Sequence, residues 1–237
     1  MRLSGRNNDE IRPTVIIPSF NPFAEGSCLI KQGNTHVVCT ATIDEDVPPF
    51  LKGQGTGWVT AEYGMLPRST GTRIRRDSTN GRPNGRTQEI QRIVGRCLRA
   101  AVDLKALGKR QVIIDCDVIQ ADGGTRCASV TGGYVALCLA INKALKRGLI
   151  KTNPIINQIA AISCGIVAGK VVADLDYLED SSAEVDANFI IAKDKKIIEI
   201  GASAEKSPFS EKQLIEMLKV ANVAIEQIHA IQLAAIK

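Results

Sequence analysis

The chain has few of the residues that most often announce a function. Only 4% of its 237 residues are aromatic, with Trp58 the sole tryptophan, so its core must be packed by aliphatic side chains. Two histidines, His36 and His229, are too few and too far apart for a usual zinc site. Seven cysteines (Cys28, Cys39, Cys97, Cys116, Cys127, Cys138 and Cys164) are scattered, odd in number and free of any C-x-x-C pair. They read as buried free thiols of a reducing compartment, and the expected location is cytoplasmic. No apolar run approaches the roughly 18 residues of a membrane span, and the polar residues 1–9 hold no signal-peptide core. Linkers, low-complexity segments and short repeats are also missing, so residues 1–237 are expected to form one compact unit.

Acids are scarce in one segment. Between Arg68 and Arg110 stand twelve basic residues, ten of them Arg, against three acids, Asp77, Glu89 and Asp103. That local balance of +9 exceeds the whole chain's +5, so the remainder is acidic. The planar fork of Arg suits phosphate, which points to a polyanionic partner; a solvated basic helix face is the alternative.

Apolar spacing divides the chain into elements. Residues 13–20 and 27–43 read as strands, the second broken as a hairpin at 31–34. Residues 44–87 are rich in Gly, Pro, Arg, Ser and Thr, with one alternating piece around Val59, Ala61 and Tyr63. From Thr87 an amphipathic helix is predicted to run to Gly108, with Arg92, Arg96 and Arg99 together on one face. Strand 112–119, helix 127–146, strands at 158–168, 170–175, 184–192 and 196–202, and helix 210–230 with Ser210 as N-cap follow. Gly132 and Gly133 in the second helix read as sites of close packing. The order predicts an α/β or α+β fold.

Two stretches carry chemistry. Residues 115–126 run from an apolar strand through Gly123-Gly124-Thr125-Arg126 into a small-residue helix. Glycines there let backbone approach an oxyanion, helix N–H groups point at it, and Arg126 adds a forked cation. A plain strand-to-helix turn is the competing reading. Residues 174–186 hold six acids in thirteen positions. Strand alternation would put Asp174 and Asp176 on one face, with Glu179 and Asp180 in the turn that follows. Such acids must be protonated, bridged by a metal such as Mg²⁺, paired with the chain's own arginines, or simply solvated.

Along essentially its full length the sequence resembles the ribonuclease PH family of phosphate-dependent exoribonucleases. The resemblance rests on Gly5-Arg6 with Arg12-Pro13, residues 57–63 (GWVTAEY) with 65–68 (MLPR), Gly85-Arg86-Thr87 with 89–92 (EIQR), residues 115–126, and Leu175-Asp176-Tyr177 with Glu179-Asp180. It implies an α+β fold like the second domain of ribosomal protein S5, doubled into two pseudo-symmetric halves, with 1–237 as a single catalytic domain. It also implies a homohexamer built as a trimer of dimers. By resemblance Arg86, Gly124, Thr125 and Arg126 bind inorganic phosphate, the co-substrate. Asp174 and Asp180 are the catalytic or Mg²⁺-binding carboxylates, and Arg68, Arg73 and Arg76 grip RNA. The implied activity trims the 3′ ends of tRNA precursors, with ribosomal RNA a further candidate substrate. Departures from the family pattern fall at Leu3-Ser4, Asp77 and Ala187, outside the phosphate and carboxylate set. Two rival classes stay open: an RNA-binding ring subunit without chemistry, and a phosphoryl-transfer enzyme for small molecules.

Overall fold

Period-two alternation builds the first sheet. The computed structural model describes every residue except Met1, Leu3, Asp77, Ser78, Asn80, Arg82 and Pro83. The departures at Leu3 and Asp77 therefore lie outside the described residues. Strands β1 (Thr14–Pro18), β2 (Gly26–Gln32), β3 (Thr35–Asp44), β4 (Trp58–Met65) and β5 (Gln111–Gln120) pair in the order β1-β2-β3-β5-β4. Along β5, Val112, Ile114, Cys116 and Val118 face the core while Asp115 and Asp117 face outward. Only β4 and β5 are parallel, so their connection must cross over, and two helices make the crossing.

Those helices replace the single helix predicted over 87–108. α1 spans Gly85–Arg99, and α2 is a short turn at Leu104–Leu107 ended by Gly108. Asp103 divides them: its side chain accepts from the amides of Lys105 and Ala106, and its own N–H donates to Pro154 O at 2.8 Å. A carboxylate that caps a new helix competes with continuing the old one.

The second sheet, β7-β6-β8-β9, is antiparallel and made of β6 (Ile159–Val167), β7 (Lys170–Ala173), β8 (Val185–Ala192) and β9 (Ile197–Ala204). α3 (Thr125–Lys146) packs between the sheets, and α5 (Glu211–Ile236) covers the outer face of the second. Ile159 and Ala161 of β6 join the α3 core, while Ala160, Ile162 and Cys164 join the α5 core. Burial on both faces explains why β6 reads as a continuous apolar run. Close approach is visible at Gly132, where a Cβ would sit 2.8 Å from Cys39 Sγ. All seven cysteines are free and buried. α3 passes for a membrane span by length and composition, at mean hydropathy 1.3 over its most apolar window, which amends the expectation of no such stretch; 78% of that window is buried in the fold.

The acidic stretch departs most from expectation. β7 stops at Ala173, Asp174 takes a left-handed backbone (φ 55°), and a six-residue helix, α4 (Tyr177–Ser182), follows. Asp176 caps it by accepting from the Glu179 amide, and the Glu179 carboxylate accepts from the Asp176 amide. Glu179 and Asp180 thus lie on a helix, and Asp174 and Asp176 share no strand face.

Candidate active site

The turn after β5 is built around two glycines. Gly123 and Gly124 both have positive φ, 73° and 68°, and a Cβ on Gly123 would stand 2.6 Å from Leu175 O. Gly124 is the N-cap of α3 and no side chain caps that helix, which leaves its first N–H groups for an anion. Thr125 is buried beneath them, its hydroxyl 2.9 Å from Tyr63 Oη on β4.

Two arginines and two carboxylates share one electrostatic neighbourhood beside this turn. Arg126 projects from the first turn of α3 and makes a 3.5 Å contact with Glu89 of α1. Arg86, in the first turn of α1, is exposed. Burial raises the pKa of Asp180 on α4, while Arg86 and Arg126 pull it down. Asp186, the second residue of β8, is pushed up to about 6 by burial and then by the charge of Asp180, against the same two arginines. Sequence reasoning counted Asp186 among the six acids but gave it no role. A signal was available: in β8 it is the half-exposed polar residue between buried Val185 and Ala187.

Asp174 is placed differently from the expectation that it stands beside Asp180 as a catalytic or metal-binding carboxylate. It is 1% exposed, and both its oxygens are already taken. Oδ1 accepts from Arg12 Nη2 at 2.8 Å and Gln32 Nε2 at 2.9 Å. Oδ2 accepts from the Arg12 amide at 2.6 Å and Arg12 Nε at 3.1 Å. An oxygen pair with four donors offers little to a cation. Glu179 is likewise gripped, by Arg2 at 2.7 Å through both oxygens and by Arg6 at 3.2 Å. The pairing of acids with the chain's own arginines thus holds for Asp174 and Glu179.

The basic segment also divides. Arg68, Arg73 and Arg76 are exposed, and Arg75 and Arg86 line a groove of about 270 Å³ with Tyr63, Met65 and Ile74. Arg96 is committed to Glu199 at 2.6 Å. Arg99 donates to Val59 O at 2.8 Å and lies 4.2 Å above the Trp58 ring. These two serve the fold, so the local charge excess overstates the surface offered to a polyanion.

Among the described residues no group of three or more His, Cys, Asp or Glu side chains could hold a metal unaided. Mg²⁺ commonly takes one or two carboxylates and completes its shell with water and substrate phosphate. Asp180 and Asp186, half-buried carboxylates close enough for the charge of one to act on the other, supply the number of protein carboxylates such an ion takes.

Comparison with known proteins places the chain in a family. Residues 10–141 match the model of domain 1 of the 3′ exoribonuclease family, and residues 157–224 match that of domain 2. Ribonuclease PH of Roseobacter denitrificans is 58% identical over 235 residues, covering 99% of each chain. Ribonuclease PH of Cereibacter sphaeroides is 55% identical over 236 residues and covers both chains fully. In fold, the chain is similar to rice Rrp46, with TM-score 0.80 at 17% identity over the whole of both chains. It is equally similar to a chain of the Archaeoglobus fulgidus exosome with RNA bound to the active site, with TM-score 0.80 at 24% identity over 97% of this chain and 91% of that one. With both family models matched in order and full-length relatives above half identity, the chain belongs to the ribonuclease PH family.

Proposed function

We propose that this chain shortens RNA from its 3′ end by phosphorolysis, trimming tRNA precursors and releasing nucleoside diphosphates. The observation that carries the reading is the convergence of the Gly123-Gly124-Thr125 turn, Arg126 and Arg86 on the Asp180–Asp186 pair. Cations that bind a free phosphate stand beside carboxylates that can serve a leaving oxygen.

Inorganic phosphate lies against the turn amides and between Arg86 and Arg126. One of its oxygens attacks the phosphorus that links the last nucleotide to the preceding 3′-oxygen. A phosphoanhydride bond forms, the P–O3′ bond breaks, and the leaving 3′-oxygen takes a proton. Asp186, whose carboxyl keeps part of its proton near neutral pH, and Asp180 beside it supply that proton. Asp180 and Asp186 would hold Mg²⁺, which when bound neutralises charge developing on the leaving oxygen. Because an anhydride replaces a diester, the reaction runs readily in reverse, adding nucleotides from diphosphates.

Arg68, Arg73 and Arg76 hold the RNA through its phosphates, so binding weakens steeply with salt. Replacing Arg73 and Arg76 by Ala should reduce the slope of log K against log salt by about 0.7 for each single-strand phosphate no longer neutralised. Fluorescence-anisotropy titrations at several salt concentrations measure it, and an unchanged slope removes these residues from the interface. The seven buried thiols suit a reducing, cytoplasmic setting. A homohexamer, assembled as a trimer of dimers, accounts for exposed apolar side chains such as Val15, Ile17, Phe20 and Phe23, the last 92% exposed. We read 1–237 as a single catalytic domain because the α3 core includes Ile159, Ala161 and Ile190 of the second sheet.

Digestion of an end-labelled tRNA bearing a short 3′ extension, with Mg²⁺ and with or without phosphate, tests the reading. Nucleoside diphosphates released only with phosphate are expected. Monophosphates released without it would make the protein a hydrolase. Tight, salt-sensitive binding with no release would favour a silent ring subunit.

A further inference from the structure

Behind the turn lies a buried network of charge that neither binds substrate nor fills space cheaply. Arg12 and Asp174 are 5% and 1% exposed. Taking such a pair out of water costs about as much as its attraction returns, so a well-packed apolar pair would stabilise the fold equally well. Asp174 also holds a left-handed backbone, which a residue with a Cβ adopts at some cost. What the pair does with its remaining donors gives it a purpose.

After satisfying Asp174, the Arg12 guanidinium reaches the carbonyl of Asp122 through Nη1 and that of Gly123 at 3.5 Å through Nη2. Thr35, fully buried, donates its hydroxyl to the same Gly123 carbonyl at 2.6 Å and accepts from the Asp122 amide at 2.9 Å. In a trans peptide the carbonyl and the following N–H point in opposite directions. Pinning the carbonyls of Asp122 and Gly123 toward Arg12 therefore turns the amides of Gly123 and Gly124 away from it. A Cβ on Gly124 would sit 3.0 Å from Arg12 Nη2, so glycine lets the guanidinium close on the turn.

The same network reaches α4. The Asp174 carbonyl accepts from Arg2 Nη2 at 2.9 Å and Arg6 Nη1 at 3.0 Å, and both arginines also grip Glu179, the neighbour of Asp180. The Asp122 carboxylate accepts from the Tyr177 amide at 3.2 Å, joining the turn to the first residue of α4.

We propose that Arg12 and Asp174 are positioning residues that aim the amides of Gly123 and Gly124 at inorganic phosphate. Arg2 and Arg6, through Glu179, set Asp180 against that phosphate. The proposal rests on the phosphorolytic reading and assigns Asp174 a place behind the site instead of at the metal.

The test is steady-state phosphorolysis of end-labelled tRNA with phosphate varied, using the full chain and the variants Arg12→Lys, Thr35→Val, Asp174→Asn and Glu179→Gln. Arg12→Lys and Thr35→Val should raise KM for phosphate about 10-fold with RNA affinity intact, the signature of lost ground-state binding. Glu179→Gln should instead lower kcat about 10-fold and leave KM for phosphate near wild type. Asp174→Asn strands the Arg12 charge and is judged only if circular dichroism shows it folded. Thr35→Val, a near-isosteric change, keeps the test decisive if it does not. Folded Arg12→Lys and Thr35→Val proteins with phosphate KM within two-fold of wild type would overturn the proposal. Monophosphate release by the wild type would instead overturn the phosphorolytic reading. Calorimetric titration of inorganic phosphate into the same proteins then decides the positioning claim. About 10-fold weaker binding in Arg12→Lys supports it, and equal binding, or none to wild type, overturns it.

Discussion

Asp180→Asn should lower kcat about 100-fold or more while leaving the affinity for an RNA 3′ end in place. The reason is local: burial lifts its pKa while Arg86 and Arg126 restrain it, and on the proposed mechanism this carboxylate serves the leaving oxygen. Asp186→Asn should cost a comparable factor, and the pH profile separates it from a packing defect. Burial, then the charge of Asp180, pushes the Asp186 carboxyl up to about 6. If Asp186 must be ionised to hold Mg²⁺, activity rises with pH through that value; if it must be protonated to serve the leaving oxygen, activity falls through it, and in either case the limb disappears in Asp186→Asn. Near-normal single-turnover rates in Asp180→Asn would sink the assignment.

Stability should move the other way. The folded pKa of Asp186 lies above the ordinary 3.8, so its contribution is fully present below that unfolded value. It is lost as pH rises through about 6. At neutral pH the folded protein therefore carries a desolvated charge that Asn removes. After discounting for solvent screening, the gain is on the order of 1 kcal/mol, or about 2–4 °C in Tm for a chain of this size. Thermal denaturation of Asp186→Asn at pH 5 and pH 8 measures it, with the difference from wild type larger at pH 8. A variant that is slower yet more stable is the mark of a strained functional group.

The second large effect is at Arg126. Arg126→Ala should reduce kcat/KM for phosphate by about 10²–10³-fold, the usual scale for removing a donor aimed at developing charge. Arg126→Lys should recover little of it, because an ammonium cannot reproduce the two-pronged fork. Arg126 also lowers the pKa values of Asp180 and Asp186. Losing a cation raises a carboxylate's pKa, so the acidic limb of the pH profile should move up in Arg126→Ala. Measuring initial rates against phosphate between pH 5 and 8 tests both statements. A lower rate with an unmoved limb would place Arg126 on the RNA instead of beside the carboxylates.

Much of this site is legible in the order of residues alone. Gly123-Gly124 followed by Thr125-Arg126 announces a tight strand-to-helix turn, and both glycines take the positive φ that such a turn needs. The alternation in β5 and the apolar stripe of α5 are periodic, and periodicity is a local property. Ser210 caps α5 as its spacing predicts, accepting from the Gln213 amide. Element order alone left α/β and α+β open, and the family resemblance chose α+β.

The misreadings share a physical cause. Asp174 and Asp186 flank Asp180 at equal distances in the chain, and nothing local separates a carboxylate facing substrate from one buried against an arginine 162 residues away. Arg96 and Arg99 count as positive charge in any sequence sum, yet their partners, Glu199 and the Trp58 ring, lie on distant strands. The break at Asp103 and the short helix α4 were decided by capping side chains and by the Asp103 amide finding Pro154 O. The sequence by itself determined the periodic elements, the Gly123-Gly124 turn and the family resemblance. Tertiary structure alone decided which charges are spent inside and which remain for chemistry, because a charge's role depends on its burial and its partners, and neither is a local property.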